Sequence, residues 1–259
     1  MENILLPSKI SFEKGEKANQ ANLVMEPCFQ GYGTTVGNAL RRVLLSSLPG
    51  AAVISFKIKG APHEFTSIDG VAEDVLELSL NLKMLRLKLF SDEPVRLTIK
   101  ASGETEVTGA DVEKNALVEI VNPDLHLLSL TSKDSNLEME IVVSRGRGYS
   151  AVEDRDTKSK NEIGMIQIDA LYSPLKNVGY SVENARVGDI TNYDKLVMTI
   201  DTDGTISPEE AVREASKILI DYFSLLAPLG APAPIDSIEP ATGSEEEKPK
   251  KKKKSESEE

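Results

Sequence analysis

Apolar residues at Val36, Leu40, Val43, Leu44 and Leu48 recur at spacings of three and four. They share one face of a helix predicted over 35–48. Leu45 lies beside that stripe and widens it. A glycine-punctuated turn from Gly31 leads into the helix, and Pro49-Gly50 is expected to stop it. So wide an apolar face needs cover, from the chain's own core or from a second chain. Ile54, Phe56 and Ile58 then alternate with Ser55, Lys57 and Lys59, the period of a half-buried strand. A second helix is predicted over 71–82, with Asp69 as N-cap and Glu73 and Asp74 near the positive end of its dipole. Strand-like runs follow at 85–89, 95–99, 117–121 and 137–143, so 51–166 reads as mainly β. Another short run lies at 23–25. Strands at 180–187 and 196–200 are expected to flank a turn over 189–194. The last helix opens with Ser207 as N-cap, Pro208 as first helical residue and Glu210 completing a capping box. Its apolar face is Ala211, Ala215, Ile218, Leu219, Tyr222 and Leu226, and Pro228 and Gly230 end it.

Two stretches carry no period. SAVEDRDTKSKNEIG, over 150–164, is read as a mobile loop. Beyond the last helix, Pro228, Pro232, Pro234 and Pro240 space out an extended linker. The tail ATGSEEEKPKKKKKSESEE holds six lysines and six glutamates. It cannot bury apolar surface and is expected to be disordered.

The neutral tail leaves the whole net charge of −12 on the body. That argues against a body that binds nucleic acid through its global field. A single cysteine, Cys28, excludes an internal disulfide and fits a reducing cytoplasm. MENILLPSKI lacks the basic-then-apolar pattern of a secretion signal, and no run of apolar residues is long enough to span a membrane.

Candidate chemistry is sparse. His63 and His126 are far apart, with no nucleophile elbow nearby, and read as structural or surface residues. Asp201-Thr202-Asp203-Gly204 opens like a calcium loop, but the closing ligands do not follow, so it reads as a turn. Arg145-Gly146-Arg147-Gly148 and the lysines over 250–254 offer a weak nucleic-acid signal. Arg41 and Arg42 point about 100° apart on their helix, so one can flank the apolar stripe while the other projects away. They are either solvated charges or forks for a partner's carboxylates or phosphates.

The segment GYGTTVGNALRRVLLSSLPG closely resembles the signature of the amino-terminal assembly domain of bacterial RNA polymerase alpha subunits. Three more blocks match in order: GAPHEFTSIDGVAEDVLELSLNLK, VVSRGRGY and IDALYSPLKNVGYSVENARVGDITNYDKLVMTIDTDGTISPEEAV. The resemblance covers residues 1 to about 228. It implies an α+β fold in two parts. One is a dimerisation part of two long helices on a sheet, over 1–50 and 167–228. The other is an inserted, mostly β domain over 51–166, with linker and tail over 229–259. The periodicity is compatible with that division without establishing it.

The resemblance further implies a homodimer that scaffolds assembly of the beta and beta-prime subunits. Beta binding maps onto Arg42, Leu45 and Lys83. Beta-prime binding maps onto Ile168, Asp169, Ala170, Tyr172, Ser173, Pro174 and Arg186. The dimer interface is expected at Val36, Leu40, Val43, Leu44, Ile218, Leu219 and Tyr222. The sequence departs from the family with Asn184, Leu171 and Thr34 where other residues are usual. It also ends where most members carry a second, DNA-binding domain. DNA is therefore expected to be met only through the assembled complex, in the cytoplasm and away from membranes. No catalytic group and no cofactor is expected on this chain. The complex's magnesium and zinc are implied for other subunits. The rival readings are a stand-alone dimeric regulator and a nucleic-acid module acting through the RGRG word and the lysine tail.

Overall fold

The computed structural model describes residues 4–155, 164–188 and 190–226. Strand β1, Lys9–Lys14, pairs antiparallel with β2, Gln20–Cys28. Helix α1 spans Tyr32–Ser46 and is followed at once by β3, Pro49–Ile58. Helix α2, Val75–Lys83, comes next. Then follow β4, Leu87–Leu89; β5, Val95–Ser102; β6, Thr105–Thr108; β7, Val118–Ile120; β8, His126–Leu130; and β9, Asn136–Arg147. Short strands β10, Tyr149–Ser150; β11, Ile166–Gln167; and β12, Ala170–Leu171 lead to a long hairpin. Its arms are β13, Leu175–Val187, and β14, Ile190–Thr202. Helix α3 spans Pro208–Leu226.

Two four-stranded antiparallel sheets organise these elements. The terminal sheet has the order β1-β2-β14-β13 and the central sheet β11-β3-β9-β5. Each has its own core. Leu23, Leu40, Leu44, Leu48, Met198, Ile200, Ala211 and Ala215 join α1 and α3 to the terminal sheet. The other core collects Phe56, Leu78, Leu82, Ile99, Met139 and Ile141 around the central sheet and α2. The chain is thus mixed α and β, as the resemblance implies. The described residues up to Asp221 form one compact unit, and those from Tyr222 group apart from it.

The seating of α1 explains its glycines. A Cβ at Gly37 would stand 2.8 Å from the Tyr180 ring and 2.9 Å from Leu196 Cδ1. One at Gly33 would stand 3.0 Å from Asp194 Cβ. Without those carbons the helix lies flat on β13 and β14. Gly31 has φ +83°, a left-handed conformation that only glycine adopts without cost. It offers no side-chain cap. Instead the Asp194 carboxylate reaches across from β14, and its Oδ2 accepts the amides of Gly31 at 2.9 Å and Gly33 at 3.1 Å. This residue is buried, so the bonds stand in a low-dielectric setting where an unpartnered carboxylate would be costly.

Several boundaries differ from expectation. Pro49 and Gly50 do not merely stop α1; they open β3, pairing with Arg147 and Gly146. Helix α2 starts at Val75, because Asp74, not Asp69, is its N-cap and accepts the Glu77 amide at 2.6 Å. Residues 71–74 are occupied elsewhere. Val71 bridges to Leu130, and the Glu73 carboxylate accepts the Ser129 amide at 2.6 Å. The turn expected over 189–194 is far tighter, since Val187 already faces Ile190 and Asp194 lies inside β14. Ser150 pairs with Ala170 and is strand. Most of the loop expected over 150–164, the helix stop at Pro228 and Gly230, and the tail lie outside the described residues. The α3 start is as read. Ser207 Oγ accepts the Glu210 amide, and Glu210 Oε2 accepts the Ser207 amide, each at 3.3 Å. Among the described residues no helix is long and apolar enough to cross a membrane.

Replacing Asp194 by Ala removes the acceptor of the exposed Gly31 amide and orphans the buried Gly33 amide, and is expected to cost about 2 kcal/mol. Asp194→Asn keeps one acceptor oxygen and should cost roughly half as much. Urea unfolding at fixed protein concentration measures both; equal stability of Asp194→Ala and the parent would show that the cap contributes nothing.

Candidate subunit interface

The outward face of α1 is built by the residues its core stripe leaves over. Leu40 and Leu44 are 6 % and 0 % exposed against the terminal sheet. Both were expected at the dimer interface, and their apolar surface is consumed within the chain. Val36, Val43, Ile218 and Leu219 are half-buried against the same core, while Tyr222 is exposed. Of the arginine pair, Arg41 folds back, donating from Nε to the Val178 carbonyl at 3.1 Å. Arg42 projects outward and has no polar partner among the described residues. Leu45 does not widen the buried stripe; it is exposed, one turn further along the outer face.

Beside Leu45 runs the segment from Ile168 to Leu175. Ser173 Oγ lies 3.5 Å from the Leu45 carbonyl. Tyr172 is buried, and its place is cut out of the neighbouring strands. A Cβ at Gly146 would stand 2.5 Å from its ring, and one at Gly50 would stand 1.8 Å from its carbonyl oxygen. Its hydroxyl meets Ser144 Oγ at 2.9 Å, and its amide donates to the Gly148 carbonyl at 2.8 Å. Glycines of both the LPG and RGRG words therefore make room for this residue, Gly146 for its ring and Gly50 for its backbone, a structural use of the arginine-glycine word. Ile168, Ala170 and Pro174 are also buried. The side chains of Ile168, Tyr172 and Pro174, expected at the beta-prime contact, are thus spent inside the chain. What this segment shows to solvent is Asp169, Ser173 and Leu171, the last 43 % exposed and expected from sequence only as a departure from the family, not as a contact.

At the far end of the segment Asp169 meets α2. Its Oδ2 accepts Lys83 Nζ at 3.0 Å and its Oδ1 accepts the Val152 amide at 3.1 Å. The Tyr149 hydroxyl also reaches this carboxylate. The hydrogen bond from Lys83 first, and that from Val152 second, hold the Asp169 carboxyl below its usual range. Lys83 ends a row that the sequence reading missed. Leu76, Leu80 and Met84, four residues apart, are about half exposed, and Phe65 is more exposed still. Val75, Leu78 and Leu82 fill the core from another side of the same helix. Two apolar rows on one short helix were the available signal. A cleft of about 220 Å³ lies between Phe65, Leu76, Lys83, Val152 and Asp169.

The structure therefore brings together residues assigned to two different partners. Leu45 adjoins Ser173, and Lys83 is bonded to Asp169. Arg186 stands apart, near the tip of the β13–β14 hairpin, where its Nε donates to the Gly188 carbonyl at 2.8 Å. The histidines are tied locally. His126 Nε2 is 2.9 Å from Glu73 Oε1, and His63 Nδ1 is 3.0 Å from Thr66 Oγ1. Asp203 closes its turn on the Thr205 amide at 2.8 Å. Among the described residues no three His, Cys, Asp or Glu side chains are grouped to hold a metal ion.

Residues 56–173 match the family model described as the RNA polymerase Rpb3/RpoA insert domain. The chain is 48 % identical over 223 residues to the DNA-directed RNA polymerase subunit alpha of Oceanobacillus iheyensis, covering 86 % of this chain and 70 % of that protein. It is 47 % identical over 236 residues to the subunit alpha of Desulforamulus reducens, covering 91 % and 74 %. The subunit alpha of Clostridium acetobutylicum is 46 % identical over the same length and coverage.

Because the folded carboxyl of Asp169 titrates below its unfolded value, its pairing stabilises the fold above the unfolded pKa of about 3.9 and is lost as pH falls through the folded value. Asp169→Asn should therefore flatten the acid limb of the stability curve below about pH 4 and leave neutral-pH slopes alone. Thermal unfolding across pH 2–7 tests this; parallel curves for parent and variant would remove Asp169 from the acid response.

Proposed function

The chain belongs to the family of bacterial DNA-directed RNA polymerase alpha subunits, and on that premise we propose that it homodimerises and serves as the platform on which the beta and beta-prime subunits assemble. It takes part in transcription as a subunit of the polymerase complex. On this reading it supplies no catalytic group, works in the cytoplasm and meets DNA only through the complex, whose metal ions lie on other subunits.

The observation that carries the dimer is the end of α3. Ile220, Tyr222, Phe223, Leu225 and Leu226 are each more than half exposed, five large apolar side chains within seven residues. Water is a poor environment for such a helix end, and patches of this kind mark contact surfaces. Covering them releases about 1.5–3 kcal/mol per side chain, and a two-fold contact counts each side chain twice. That gross gain of roughly 15–30 kcal/mol exceeds an association cost on the order of 4–15 kcal/mol. Val36, Val43, Ile218, Leu219 and Tyr222 remain in the proposed interface. Leu40 and Leu44 support it from the core.

For the large subunits, Arg42, Leu45 and Lys83 are the proposed beta contacts. Asp169, Ser173 and Arg186, with Leu171 added, are the proposed beta-prime contacts. The outward Arg42 fork suits a carboxylate of a partner. The row of Leu76, Leu80 and Met84 gives the same surface an apolar portion, the composition expected of an interface core beside a polar rim.

Phe223→Asp places a charge where the helix ends should meet, and light scattering should then read a monomer where the parent reads a dimer. A dimer of unchanged affinity would remove the end of α3 from the interface. Arg42→Ala should keep the dimer and weaken capture of beta in a tagged pull-down by about tenfold or more. Capture at the parental level would remove Arg42 from the contact.

A further inference from the structure

Lys83 has a long, flexible side chain, yet it is held in one place by a carboxylate that is itself held from behind. The chain of contacts leads back to Arg155. Its guanidinium donates to three carbonyls from three parts of the chain. Nη1 donates to Ile54 in β3 at 3.1 Å, Nη2 to Ile168, and Nε more weakly to Ala151 at 3.4 Å. The Ile54 carbonyl also accepts the Ile168 amide at 3.0 Å, so β3 and the stretch before β12 are already in register at this point. The Arg155 amide donates to Val152 at 3.3 Å and closes the turn 151–155 on itself. The turn is thereby fixed to the central sheet.

The fixed turn presents the Val152 amide to Asp169 Oδ1, and Oδ2 is left for Lys83. We propose that Arg155 is a positioning residue for Lys83, acting through the turn and Asp169, so that α2's exposed row ends in an ammonium of defined position. The proposal rests on reading Lys83 as a subunit contact. Its physical basis is entropic. A half-exposed lysine retains rotamer freedom that a partner must remove on binding, and a preset ion pair removes part of it beforehand. The geometry also specifies the residue type. Three different nitrogens of one planar fork reach three carbonyls, which a lysine's single point of charge cannot do. Lysine at this position would keep the charge and lose the staple.

The test uses the full-length chain. Brief acylation with a water-soluble amine reagent, read residue by residue by mass spectrometry, reports how free each lysine is. Lys59 is the internal reference, since it directly follows β3 and its carboxylate neighbour Glu138 does not involve the turn. Arg155→Lys and Arg155→Ala should each raise labelling of Lys83 several-fold and leave Lys59 unchanged. Asp169→Asn should do the same with Arg155 in place. Capture of the large subunits should fall in all three. Parental labelling of Lys83 in both Arg155 variants would overturn the proposal. So would a parallel rise at Lys59, because that reports general loosening. A rise confined to Lys83 with capture intact would uphold the positioning role and instead refute Lys83 as a subunit contact.

Discussion

The start of α1 is held by a carboxylate from a distant strand, and the packing of the helix on the terminal sheet depends on it. A helix whose N-cap is a left-handed glycine has unsatisfied amides and no local means of satisfying them. Asp194 supplies the acceptor from β14, and the same contact fixes where the helix lies on the sheet. Gly33 and Gly37 then let the helix backbone approach the sheet where any Cβ would collide with Asp194, Tyr180 or Leu196. Glycine in a helix costs about 1 kcal/mol relative to alanine. Here overpacking by alanine would cost about 1–3 kcal/mol, so close approach wins. Once α1 is seated, Leu40, Leu44 and Leu48 are inside, and Arg42 and Leu45 are necessarily outside.

A second close approach ties the segment between the two sheets to β3 and β9. Tyr172 lies where β3 and β9 are both glycine, and this ring anchors the segment that runs from the central sheet back to the terminal hairpin. A buried ring of this size contributes several kilocalories through packing alone. The consequence for the surface is indirect. With Tyr172, Ile168 and Pro174 turned inward, alternation along the segment turns Asp169, Leu171 and Ser173 outward. The core residues thus determine the surface without belonging to it.

Apart from Arg186, that surface joins the two sets that a residue-by-residue reading keeps separate, through Leu45 with Ser173 and Lys83 with Asp169. It carries a free guanidinium, scattered apolar side chains and one shared ion pair. Such a composition suits recognition of other folded chains, where a few apolar anchors and well-placed charges do most of the binding. It agrees with membership in a family of polymerase subunits whose similarity extends over most of this chain.

Much of this was legible in the sequence, because periodicity and capping are local. The α1 stripe, the Ser207–Glu210 capping box and the outward direction of one arginine all follow from spacing, whereas the expected β3 alternation is broken by a register shift between Val53 and Ser55 that leaves Ser55 buried. The four ordered blocks identify the family and the mixed fold. What spacing cannot carry is which neighbour claims a group. Asp69 and Asp74 are equivalent as caps until Glu73 and Val71 are drawn to β8. Tyr172 and Leu171 are adjacent apolar residues until glycines on two other strands make room for one of them. Asp194 looks like a turn residue until a helix from 160 residues earlier in the chain needs its oxygen. Lys83 and Asp169 are separate charges until α2 and the Ile168–Leu175 segment are packed side by side. The sequence determined the elements and the family, because those depend on interactions within a few residues. The tertiary structure decided which residues are core and which are surface, because burial and hydrogen bonding are settled by groups distant along the chain.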